Sequence, residues 1–100
     1  MMDITPYKEQ IRQICEELHL KKLDIFGSAR TDQFGPKSDV DVIVEFTHSD
    51  DVNSFDVYFE LKSRLKELFN RPVDIITEKS LKNPYLIKKV SETREKIYAS

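Results

Sequence analysis

The residues best suited to chemistry sit in two short stretches. Gly27-Ser28 is followed eleven residues on by Ser38-Asp39-Val40-Asp41, which opens a run of Val, Ile and Phe. In an extended chain Asp39 and Asp41 leave on one face with Ile43 and Glu45, while Val40, Val42, Val44 and Phe46 take the other. Two acids side by side on a buried strand repel each other and lose hydration, and a divalent cation relieves both costs. The pattern reads as a magnesium site for phosphoryl chemistry. Asp74, between Val73 and Ile75, supplies a third strand-borne carboxylate on the face of Ile76. It joins the other two if its strand neighbours theirs.

Nucleotidyl transfer calls for this set. Extra negative charge develops at the α-phosphate, and two metal ions stabilise it, one on the triphosphate and one on the attacking hydroxyl. Asp39 and Asp41 would bridge both ions. Asp74 would bind the catalytic ion and help deprotonate the hydroxyl. Hard oxygen ligands with retained waters suit Mg²⁺. Gly27-Ser28 is the complement: a glycine ending a strand lets backbone N–H groups approach a phosphate, and a following helical turn aims its positive end there. The Ser28 hydroxyl can donate to a phosphate oxygen, and Arg30 lies within one turn. Alone, Gly-Ser is a common turn, and Asp-x-Asp often caps turns or binds calcium. Their combination, with a later strand-borne aspartate, is specific.

The elements that must hold these residues follow from periodicity. Thr5-Pro6 opens a helix, Thr5 as cap, with Tyr7, Ile11, Ile14, Cys15 and Leu18 on its buried face. Leu23–Phe26 is a short strand running into Gly27. Gly35-Pro36 marks a loop after a short helical turn. A second strand spans about Val40 to Phe46, and the polar stretch His48 to Asn53 is a loop. Asn53 or Ser54 caps a helix carrying Tyr58, Leu61, Leu65, Leu68 and Phe69, which Asn70 and Pro72 end. Val73–Ile76 is a third strand. Asn83-Pro84 starts a C-terminal helix with Leu86, Val90 and Ile97 on one side. The four tyrosines are read as core-edge residues; Lys79, Lys82, Lys88 and Lys89 could approach a nucleotide or a partner, but a solvated face is the favoured reading. His19 and His48 receive no role.

At 100 residues the chain reads as one domain, 1–100, with a net charge of −2 from 16 basic and 18 acidic residues. That balance argues against tracking a nucleic-acid backbone by charge. Cys15 has no partner cysteine and reads as a core residue. With no basic-then-apolar leader and no long apolar run, the chain reads as cytosolic, with no membrane contact. The expected fold class is α+β (a two-layer α/β arrangement), a small mixed sheet with helices packed mainly on one face.

The run FGSARTDQFGPKSDVDVIVEF, followed by RPVDIITEKSLKNPYL, resembles the minimal nucleotidyltransferase (MNT) family. This is the stand-alone palm domain of the polymerase-beta-like nucleotidyltransferases, often the antitoxin paired with a HEPN-domain ribonuclease toxin. The likeness runs from about Lys22 to Tyr98. It implies that Gly27 and Ser28 bind the triphosphate of ATP, that Asp39 and Asp41 hold two Mg²⁺ ions, with Mn²⁺ as a substitute, and that Asp74 completes the metal-binding, catalytic triad. Members usually carry an arginine four residues after the glycine; here that position is Thr31, and Arg30 stands one earlier. The chain ends about where the palm ends, so the acceptor is expected to be a partner protein or a small molecule. The resemblance implies an antitoxin that forms a hetero-oligomer with its cognate HEPN toxin and transfers AMP from ATP to a hydroxyl of that toxin, a tyrosine above all. The alternatives are neutralisation by binding alone and adenylylation of a small molecule such as an aminoglycoside.

Overall fold

A computed structural model describes residues 3–31, 35, 38–46 and 54–99, with side chains for all of these but 28, 54 and 55. The loops expected at Pro36 and at His48–Asn53 lie outside the described residues. A 3₁₀ turn, Thr5–Tyr7, leads into a helix, Lys8–Glu17 (α1). Thr5 does not cap it. Instead the Thr5 N–H donates to Asp3 Oδ1 at 3.1 Å, so the acid two residues earlier satisfies the entry. Ile11 and Cys15 are buried, with Tyr7, Ile14 and Leu18 packed beside them. Burial pushes the Cys15 thiol up to about 12, which makes it a core side chain and a poor nucleophile.

His19 takes a left-handed conformation, φ 58°, and the chain turns at once into a strand, Leu20–Phe26 (β1). The strand therefore starts three residues before Leu23, where the sequence put it. Lys21 and Lys22 disguised that start. Their ammonium groups face Glu45 at 3.5 Å and Glu78 at 3.5 Å, and Leu20 between the helix and this pair is buried. The second strand is Val40–Phe46 (β2), as expected. A helix, Ser54–Phe69 (α2), buries Leu61, Leu65 and Phe69 and ends at Asn70, whose φ of 56° is the left-handed stop its residue type suggested. The third strand is Val73–Thr77 (β3), followed by a 3₁₀ turn at Glu78–Ser80. Asn83 then caps a helix, Pro84–Thr93 (α3), its side chain accepting from the Tyr85 N–H at 2.9 Å.

The C-terminal helix stops sooner than its pattern suggested. Arg94 is extended, and Glu95–Ala99 forms a fourth strand (β4), so Ile97 belongs to a sheet edge and not to a helix face. The reason is tertiary. Arg94 Nε donates to Asp24 Oδ2 at 2.7 Å, and its Nη2 lies 2.6 Å from Glu78 Oε1. Held there, the chain is delivered alongside β1 and pairs with it antiparallel.

The sheet order is β3-β2-β1-β4, with β2 and β3 parallel and the other pairs antiparallel. Val40, Val42, Val44, Leu23, Ile25, Val73 and Ile75 pack with α1 and α2 on one face. Phe26 and Ile43 point to the opposite face and are covered by Val90 of α3, with Leu86 and Ile76 beside them. Two helices thus share a face, as expected, and α3 alone lies on the other. Both faces of β2 are consequently buried at its centre, which explains its unbroken apolar run. An edge-to-face contact between Tyr7 and Phe69, centroids 5.1 Å apart, and an Arg64–Glu17 ion pair tie α2 to α1. Among the described residues no helix is long and apolar enough to cross a membrane.

Candidate active site

Strand register decides which acids meet. Phe26 pairs with Asp41 across β1 and β2, and Asp41 pairs with Asp74 across β2 and β3. Paired residues of adjacent strands point the same way, so these side chains form one row on the α3 face of the sheet. The expected adjacency of the second and third strands is met, and Asp74 leaves the sheet opposite Val73 and Ile75. Asp74 is exposed and Asp41 half-buried.

Asp39 is placed differently. The ladder begins at Val40, whose N–H donates to Pro72 O at 3.1 Å, so Asp39 precedes β2 and is exposed. Among the described residues no three His, Cys, Asp or Glu side chains close on one point. Register pairs two of the aspartates; the third stands before the strand.

The electrostatics of the row are unfavourable as they stand. Burial pushes the Asp41 carboxyl up to about 6; Asp74 and Asp39 push it the same way, and Lys89 of α3 opposes them. Clustered carboxylates with hard oxygen donors and a penalty against ionisation suit a magnesium ion, whose charge would reverse that penalty.

Gly27 fits against this row and nothing larger would. Its φ is +76°, and a Cβ built on it would lie 2.6 Å from Asp41 Oδ2. It opens a 3₁₀ turn, Gly27–Arg30, that contains Ser28 and buries Ala29. The Gly27 N–H is already engaged, donating to Thr93 Oγ1 at 2.8 Å. Any backbone donor this turn offers a ligand therefore comes after Gly27. Arg30 Nη1 lies 3.4 Å from Glu95 Oε2 at the start of β4, so its guanidinium is directed toward the β1–β4 side of the turn.

Three supports of the site escaped the sequence. Arg71 Nη1 donates to Gly35 O and to Ser38 O, both at 3.0 Å, which fixes the chain immediately before Asp39. Thr93 fastens the end of α3 to the glycine turn. Asp24, 2% exposed, anchors Arg94. Of these only Asp24 left a signal: it alternates with Ile25 onto the face of Phe26, where a buried acid requires a cation. Tyr85 also differs from expectation. It is 80% exposed, whereas Tyr7, Tyr58 and Tyr98 do lie at the core edge.

The comparisons with known proteins identify the family. A family model described as a nucleotidyltransferase domain matches residues 8–97. A Methanocaldococcus jannaschii protein, provisionally named a protein adenylyltransferase, is 33% identical over 96 residues, covering 92% of this chain and 95% of its own. The protein adenylyltransferase MntA of Thermococcus cleftensis is 29% identical, covering 80% of this chain and 75% of its own. Among solved structures, a toxin-antitoxin complex with AMP-PNP superposes with a TM-score of 0.71 at 19% identity, covering 94% of this chain and 74% of that one. A tri-AMPylated Shewanella oneidensis HEPN toxin in complex with its MNT antitoxin gives a TM-score of 0.67 at 17% identity, covering 98% and 74%. With the match running through the glycine turn, both aspartate strands and α3, this chain belongs to the nucleotidyltransferase family and is a nucleotidyltransferase.

Proposed function

We propose that this nucleotidyltransferase is an antitoxin that transfers AMP from ATP to a tyrosine hydroxyl of a cognate HEPN ribonuclease toxin and so silences it. The observation that carries the reading is the Asp41–Asp74 pair in register beside Gly27. The name of the archaeal relative MntA and the AMPylated toxin bound to its MNT antitoxin support the class of acceptor. The AMP-PNP complex of a toxin-antitoxin pair supports an adenine nucleotide as donor.

Asp41 and Asp74 would hold magnesium between them, with Asp39 completing the shell. When bound, the ions supply charge neutralisation at the α-phosphate and lower the acidity barrier of the attacking hydroxyl. The chain's own residues do the rest. The turn at Ser28–Arg30 grips the β- and γ-phosphates with backbone N–H groups and the Ser28 hydroxyl, and Arg30 adds its charge on turning away from Glu95. Gly27 keeps that turn tight against Asp41. The acceptor oxygen attacks the α-phosphorus, the bond to the bridging oxygen of the β-phosphate breaks, and pyrophosphate leaves on the Ser28 side. Asp74, the more exposed member of the pair, takes the hydroxyl proton and passes it to solvent. Lost Ser28 contacts should cost about 1.5–3 kcal/mol, roughly ten- to a hundredfold in turnover.

Transfer of label from ATP to the toxin tests the proposal. Label at the α-phosphate should appear on the toxin, and label at the γ-phosphate should not. Asp74→Ala should still bind the toxin while transferring nothing. Neutralisation at equal molar ratio without any transferred label would establish the binding-only alternative instead.

A further inference from the structure

Helix α3 presents a second ordered surface beside the one that covers the sheet. Leu86 and Val90 face Phe26 and Ile43. One position round the helix, Tyr85, Lys89 and Thr93 recur every four residues and align along one side. The Thr93 end of this stripe is fixed at the site: Thr93 Oγ1 accepts from the Gly27 N–H at 2.8 Å and donates to Lys89 O at 2.9 Å. Lys89 thus stands four residues, about 6 Å of helical rise, before Thr93, which touches the glycine turn. A further turn on, Tyr85 is 80% exposed. Tyr85, Lys88, Lys89 and Glu92 line an open cleft of about 350 Å³.

The order along the stripe is the order of groups along a nucleoside triphosphate. The turn proposed for the terminal phosphates touches Thr93 at one end, an ammonium group stands one helical turn back along α3, and a solvent-facing ring stands beyond. We infer that the α3 cleft is the nucleotide's second wall, in which Lys89 pairs with the phosphate chain and Tyr85 stacks on the base. A lysine holds phosphate as a point charge, and an aromatic ring stacks on any base. Both side chains are exposed, so replacing either leaves the core intact.

The inference rests on the aspartate row being the nucleotide's metal site, and the two are separated by calorimetry on the full chain with Mg²⁺. The probes are ATP and inorganic triphosphate, which has no base. Lys89→Ala should weaken both by roughly tenfold or more. Tyr85→Ala should weaken ATP by about tenfold and leave inorganic triphosphate unchanged, with Tyr85→Phe restoring wild-type affinity. Wild-type affinity for both probes in Lys89→Ala, or for ATP in Tyr85→Ala, overturns the cleft assignment while Asp41→Asn still abolishes binding. If Asp41→Asn also binds Mg–ATP normally, the row and the cleft fall together.

Discussion

A single missing side chain sets the geometry of the site. Gly27 is followed by a turn that must lie against Asp41, and a methyl group there would meet Oδ2 at 2.6 Å in a left-handed backbone conformation. Gly27→Ala should therefore destabilise the fold by about 1–3 kcal/mol and displace the Asp41 carboxylate, with thermal unfolding and nucleotide turnover falling together. Asp41 carries a different kind of strain. Its folded carboxyl sits at about 6, above the ordinary value of 3.8, so the folded state holds a proton more tightly than the unfolded chain. The stability this confers is complete below pH 4 and is lost as pH rises through 6. Asp41→Asn removes the charge without the shape. In the metal-free protein it should gain about 1 kcal/mol near pH 7, allowing for solvent screening, and show no gain near pH 4. Urea unfolding at both pH values checks the sign; a loss of stability at pH 7 would mean that the carboxylate is stabilised by something other than a missing cation. These residue types were readable in advance because aspartate spacing and a strand-ending glycine are local facts. The partners of Arg71, Thr93 and Asp24 were not, because each bond joins segments far apart in sequence.

The elements show where local pattern prevails and where it does not. The strand Val40–Phe46, the helix Ser54–Phe69 and its stop at Asn70 agree with the sequence, since each has a long apolar period and a turn residue at its end. The last five strand residues do not. Leu86, Val90 and Ile97 fit a helical stripe equally well, and only the buried pairing of Arg94 with Asp24 converts the end into β4. This ion pair also holds α3 over the acid row. Arg94→Ala would leave the buried Asp24 carboxylate with Lys22, at 3.9 Å, as its cation among the described residues. It should cost about 3–5 kcal/mol of stability, measured by urea unfolding, and slow nucleotide turnover as α3 loosens. Replacing the pair together, Asp24→Leu with Arg94→Met, should recover most of the stability, because no unpaired charge then remains buried. A cost below about 1 kcal/mol for Arg94→Ala would show that β1–β4 pairing alone retains the strand.

At the scale of the molecule, one face of the sheet makes the fold and the other makes the site. Helices α1 and α2 bury one face almost wholly in apolar side chains, which leaves the opposite face free to carry Asp41, Asp74 and the acidic anchor of α3. Against a net charge of −2 on 100 residues, Lys88 and Lys89 put positive charge on the helix that covers that second face. This division explains how so short a chain supports a row of repelling acids: the stabilising core is elsewhere, and a cation bound at the row would relieve the repulsion. Diffraction at the manganese absorption edge, on crystals grown with Mn²⁺ and a non-hydrolysable ATP analogue, tests that claim most directly. The account predicts anomalous density coordinated by Asp41 and Asp74, with the triphosphate running from it to the turn after Gly27. A bound nucleotide whose metal lies away from both aspartates would contradict it.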